Sequence, residues 1–192
     1  MIPLFILSII AIYIFVERYL AIRRASETDT TFMNRIKEYI HEDKIDAALA
    51  LCKSKSTPVA RMIEKGIQRM GRPLSDVNTA IENVGNLEIT KLEESLPFLA
   101  TIAGGAPMLG FLGTVIGMIR AFYDMSMAGN NIDVGLLSNG IYTAMVTTVG
   151  GLIVGIFAYF GYNYLVARVE KVVFNLEANT SEFMDLLNEP VA

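Results

Sequence analysis

The stretch Ala106–Ala121, APMLGFLGTVIGMIRA, is apolar enough for a membrane, rich in glycine, and carries a single hydroxyl, on Thr114. Helical spacing strings Pro107, Gly110, Thr114, Gly117 and Ala121 along one narrow stripe, with Phe111, Val115, Met118 and Phe122 off it. One face is therefore small and the other bulky. In lipid, apolar helices gain little simply by meeting, and a small stripe lets two backbones approach closely. A hydroxyl on such a stripe points at protein or water rather than at lipid.

Working outward, the 192 residues are 53% hydrophobic and 19% charged, with a mean hydropathy of +0.43, too apolar for an ordinary soluble domain. Charges are absent from residues 1–16, 95–119 and 134–167. As helices the last two runs reach roughly 37 and 51 Å, enough for a hydrocarbon core of about 30 Å. The first reaches only about 24 Å, so it is either a short helix at the chain end or part of a chain lacking residues upstream, the reading favoured here. A signal peptide is the alternative and is not the expectation, because no basic segment precedes the run and no small-residue cleavage site follows it. Thirteen Lys and Arg lie between residues 17 and 95, none between 121 and 167, and two in the tail at Arg168 and Lys171. The positive-inside rule then puts 17–95 and the tail in the cytoplasm, and the N-terminus and the 122–139 loop outside.

A net charge of −4, with no basic stripe free of acids, argues against a nucleic-acid partner. Cys52 and His41 are each the only residue of their kind. No intrachain disulfide and no thiol metal cluster is expected, and a Ser/His/Asp or Cys/His centre would need partners that the chain barely offers. The expectation is a protein that is not an enzyme, with no catalytic residues, no metal and no cofactor.

Between the first and second runs the pattern turns amphipathic. Asp29 or Thr30 can cap a helix carrying Phe32, Ile36 and Ile40, and Asp43 can cap one that buries Ile45, Ala48, Leu49 and Cys52. Ser56, Thr57 and Pro58 supply cap and first-turn proline for a third, running through Ile63 and Ile67 to Met70, which Gly71, Arg72 and Pro73 end. From Leu74 a helical period runs through Val77, Ile81, Val84, Leu87 or Glu88, and Leu92 with no comparable breaker before Pro97, so one long helix can enter the membrane. The third run continues the same way past Gly161 through Leu165, Val169, Val172, Leu176, Phe183 and Leu187. The predicted fold is an all-α membrane protein with three transmembrane helices, two of them extended into the cytoplasm, plus a bundle of short cytoplasmic helices. Its segments are a first span at 1–20, a cytoplasmic region at 21–95, a second span at 96–121, an outer loop at 122–139, a third span at 140–165 and a cytoplasmic tail at 166–192.

The third span, GIYTAMVTTVGGLIVGIFAYFGY, has its own small stripe of Gly140, Ala144, Thr147, Gly151, Gly155 and Ala158. Gly151 and Gly155 repeat the GxxxG spacing of Gly113 and Gly117, whose plain reading is helix packing. Two readings stand for the hydroxyls. Each threonine can bond back to a carbonyl one turn earlier. Alternatively, copies assembled about an axis can turn Thr114 and Thr148 into belts facing a central passage. No Asp, Glu, Lys, Arg or His lies within the uncharged runs, so a titrating group for ion movement must come from elsewhere.

With these residues in view, the chain resembles the MotA/TolQ/ExbB family of bacterial proton-channel subunits, its ExbB and TolQ branches most of all. The likeness rests on APMLGFLGTVIGMIRAF, on GIYTAMVTTVGGLIVGI and on the cytoplasmic KIDAALALCKSKSTPVARMIEKGI. It implies a multi-pass protein of the bacterial inner membrane with a periplasmic N-terminus and 122–139 loop and a cytoplasmic C-terminus. It also implies a homopentamer around a pore that holds single-span ExbD-like partners, whose membrane aspartate carries the proton. The work passes to a TonB-like protein, and so to transport across the outer membrane. By motif, Thr114 and Thr148 match the two pore threonines, and Pro107 matches a proline where helix irregularity is expected. Thr143 stands where many ExbB proteins have a glutamate, which leaves the partner's aspartate as sole carrier. The site expected from stripes and resemblance is thus a pathway of Thr114, Thr148, Thr143 and Thr147, packed through Pro107, Gly110, Gly113, Gly117, Gly151 and Gly155. Alternatives are a TolQ-like subunit of the Tol-Pal system, a MotA-like flagellar stator, which usually has a fourth span, and a non-conducting membrane scaffold. A small secondary transporter would need inverted repeats, which the sequence lacks.

Overall fold

The structure, a computed structural model, describes residues 2–26, 30–127 and 134–188. Asp29 and part of the 122–139 loop lie outside the described residues. The described chain is helical throughout: α1 (Ile2–Ala25), α2 (Thr30–His41), α3 (Ile45–Ser54), α4 (Pro58–Ile67), α5 (Leu74–Glu93), α6 (Leu96–Met127) and α7 (Val134–Asn188). Three of its helical stretches are long and apolar enough to cross a membrane, and the protein is an all-α membrane protein. Two compact units are formed, one from Met1–Arg18 with Ser95–Leu165, the other from Tyr19–Glu94 with Val166–Ala192.

The first unit contains the start of α1, α6 and the first part of α7. Many of its large apolar side chains, Phe5, Phe111, Ile119 and Phe157 among them, face outward, as they do in helices solvated by lipid. Inward-facing positions include Ala11, Ala106, Ala144 and Ala158 beside larger Leu99 and Ile102.

The second unit buries a soluble-type core of Ile36, Ala48, Cys52, Ile63, Ile81, Leu176 and Phe183. Its local signals act as physical chemistry dictates, with one correction. Thr57 caps α4 by accepting the Ala60 amide at 3.4 Å, and Pro58 opens the helix where a missing N–H costs nothing. Asp43 is not the cap of α3. It ends α2 instead, at φ 57°, with Lys44 N–H donating to Tyr39 O at 2.8 Å and Asp43 N–H to Ile40 O at 3.1 Å. This is the left-handed closing turn that Asp tolerates better than most residues, and it leaves Lys44 as a cap without a side-chain bond. The long helix expected from Leu74 into the second span is present as one apolar stretch, Leu74–Met127. Its ladder is interrupted only at Glu94–Ser95, between α5 and α6, where Pro97 has no N–H to donate. At the other end the expected continuity holds, since α7 is a single helix of 55 residues.

Glu88 departs from the expected pattern. The sequence left Leu87 and Glu88 as alternatives for one inward position, and the acid takes it: Glu88 is 5% exposed and Leu87 62%. Arg61 of α4 and Lys91 donate to the two carboxylate oxygens, the latter at 2.8 Å. Burial pushes the Glu88 carboxyl up, but the hydrogen bonds and charges of Arg61 and Lys91 outweigh it and hold the group below the ordinary carboxylate value.

Candidate functional site

The two small stripes of the first unit meet each other. Gly110 faces Gly151 so closely that a Cβ on Gly110 would lie 3.1 Å from the Gly151 Cα, and one on Gly151 would lie 2.6 Å from the Ala106 carbonyl oxygen. On either side the same antiparallel register continues. Gly113 is filled by the methyl of Thr147, a Cβ on Gly117 would lie 2.7 Å from that of Ala144, and one on Gly140 would lie 2.6 Å from that of Ala121. At the other end Gly155 accommodates the ring of Pro107, which sits inside the continuous α6. Proline cannot donate to the carbonyl of Ala103, and that carbonyl oxygen would be 3.0 Å from a Gly155 Cβ, so α7 closes over the gap in the ladder. All six packing residues read from the sequence therefore belong to one seam between α6 and α7 of a single chain.

Four threonines divide into two kinds. Thr143 is exposed and Thr147 half-buried, its methyl against Gly113, and both bond back one turn, to Asn139 O at 2.9 Å and to Thr143 O at 3.2 Å. Thr114 and Thr148 are half-buried and hydrogen-bonded to each other across the seam. Both also point at one carbonyl: Thr148 Oγ1 donates to Gly110 O at 3.0 Å, and Thr114 Oγ1 lies 3.2 Å from the same oxygen. Three oxygens thus share two protons. One contact of the triangle always lacks its hydrogen, so either hydroxyl can turn toward a guest while the other keeps Gly110 satisfied. Neither titrates near neutral pH. The site offers hydrogen bonds of either sense and carries no charge.

This cross-helix pair was not legible in the stripes, which gave the face of each helix but not their register. A usable signal existed: a hydroxyl four residues after a glycine on one small stripe, and another on the facing helix three before Gly151.

Residues 54–178 match the MotA/TolQ/ExbB proton channel family. A biopolymer transport protein ExbB homologue of Methanothermobacter thermautotrophicus is 30% identical over 90% of this chain and 62% of its own length. A Tol-Pal system protein TolQ of Pseudomonas aeruginosa is 27% identical over 91% of this chain and 80% of its own, and a biopolymer transport protein ExbB of Aquifex aeolicus is 35% identical over 59% and 75%. The chain thus spans a little under two thirds of the first of these relatives and more of the other two. With a match of that extent covering the α6–α7 seam, the chain belongs to the MotA/TolQ/ExbB proton channel family.

Proposed function

We propose that the protein is the channel and stator subunit of a complex in the cytoplasmic membrane that converts the proton-motive force into mechanical work. In this reading identical copies, five by family resemblance, close around a passage. Each contributes its Thr114–Thr148 pair, and an ExbD-like single-span partner contributes the membrane aspartate that carries the proton. The observation that carries the reading is the shared-proton triangle of Thr114, Thr148 and the Gly110 carbonyl, set in uncharged runs without Asp, Glu, Lys, Arg or His. Neutral hydroxyls that donate or accept suit a guest carboxylate in both of its protonation states. A fixed charge at that depth would trap one state. Orientation follows the positive-inside rule, with 17–95 and the tail in the cytoplasm and the N-terminus outside.

The output is transport across the outer membrane through a TonB-like protein. The TolQ name of the Pseudomonas aeruginosa relative supports a second reading, service to a Tol-Pal envelope system, by the same chemistry in the membrane. The deciding experiment is co-purification with an ExbD-like single-span protein, followed by proton-flux measurement in vesicles. Thr114→Val with Thr148→Val keeps side-chain shape and removes both hydroxyls. Loss of flux with assembly intact supports the channel, whereas unchanged flux and unchanged energised transport would mean that the seam is only a scaffold.

A further inference from the structure

The cytoplasmic-type unit carries its charge in two blocks. Residues 53–72 hold six Lys and Arg against one acid, Glu64, which accepts the Gln68 amide at 3.1 Å; residues 73–94 hold five acids against one Lys. Among the described residues Lys65 and Arg69 form no ion pair, and neither do Glu82 and Glu177. These two acids stand on the rim of a groove of about 520 Å³ between α5 and the C-terminal part of α7, floored by Met62, Val173, Leu176 and Met184. The groove is apolar at its base and acidic at its edge, and none of its lining residues is basic.

The complement lies at the same level of the same chain. Arg61 bonds Glu88, Met62 lies against Gly85 and Gly66 against Ile81, so α4 and α5 run antiparallel. This register brings Lys65 level with Glu82, and Arg69 follows in the turn just past α4, its N–H donating to Gly66 O at 2.9 Å. Lys65 is one turn beyond Arg61, on the edge of α4 away from the buried Ile63 and Ile67. A ring of copies about an axis running along α5 joins surfaces of equal level. A head-to-tail ring also needs two different, mutually complementary surfaces on each copy. Both conditions are met.

We propose that the groove between α5 and α7 receives the Lys65–Arg69 edge of a second copy of this chain, an inference that rests on the oligomeric reading above. The aliphatic stems lie over the methionines and valine of the floor, and the charged heads reach Glu82 and Glu177 at the rim. Exposed ion pairs of this kind set register and direction more than strength, so they decide which way round the ring closes.

The test places Lys65→Cys and Glu82→Cys together in the full chain, in native membranes. Cys52 is 1% exposed and does not compete. Mild oxidation is expected to yield a ladder of linked chains up to the full ring, and neither single variant to yield more than unlinked chain. A disulfide within one chain gives no ladder. Absence of the ladder while the purified complex keeps its oligomeric mass overturns this docking and leaves the oligomer standing; a monomeric mass overturns both. As a second arm, Glu82→Lys with Glu177→Lys is expected to reduce the oligomer that survives purification, and Lys65→Glu with Arg69→Glu added to them to restore it. Failure of that rescue overturns the proposal.

Discussion

Glu88 is the buried charge of the second unit, and its neighbours make it tolerable there. A carboxylate taken from water is unfavourable unless its oxygens are bonded, and both are, by Arg61 and Lys91. Glu88→Gln keeps one oxygen that can accept but removes the charge that both cations pair with, and should cost about 1.5–3 kcal/mol, the range for hydrogen bonds to charged groups. The pH dependence has a definite sign. A carboxyl whose folded value is lowered contributes stability that is complete above the ordinary glutamate range and is lost as pH falls through the lowered value. Thermal unfolding of the wild type and Glu88→Gln should therefore differ at neutral pH and converge in acid. Cys52 belongs to the same scale. Burial, with Glu64 nearby, pushes its thiol up to about 12, so it should resist a thiol reagent at neutral pH until the protein unfolds, as mass spectrometry would read directly.

At the scale of elements, the α6–α7 seam is held by backbone approach rather than by side-chain bulk. Gly151 is its least yielding point, because the atoms its Cβ would meet, from 2.6 Å, are all backbone and cannot step aside. Gly151→Ala should force the helices apart, at the cost of about 1–3 kcal/mol that overpacked interiors show. Gly104 provides the control: no atom of the chain lies within 4 Å of its would-be Cβ, so Gly104→Ala should be neutral or slightly stabilising in the isolated chain. Detergent thermal shift of the two variants side by side checks the pair. The hydroxyl pair adds less. Cross-helix hydrogen bonds in membranes average about 0.6 kcal/mol, so Thr114→Val and Thr148→Val should barely move the midpoint of unfolding. Their effect on ion flux then reports function rather than folding.

At the scale of the molecule, the membrane helices carry no titratable carrier of their own, and this predicts dependence on a guest. Under the proposed function, vesicles holding the protein alone should show no proton flux under an imposed gradient, and vesicles holding it with the proposed ExbD-like partner should show flux that vanishes when the membrane aspartate proposed for that partner is replaced by asparagine. Flux from the protein alone would contradict the neutral seam as the basis of the channel. Much of this architecture was legible in advance. Three charge-free runs, the Thr57–Pro58 start of α4 and the unbroken period after Gly161 are local or periodic signals, and hydropathy, capping and helical repeat act over a few residues, whatever the rest of the chain does. The sequence by itself determined the helical membrane class and the face each small stripe presents. Tertiary structure alone decided that Gly110 meets Gly151, that Thr114 and Thr148 share the Gly110 carbonyl, and that Glu88 rather than Leu87 turns inward. These outcomes depend on the register between residues distant in the chain, and only packing sets that register: glycine admits a backbone where any Cβ would collide, and Arg61 must be in reach before a carboxylate can be buried.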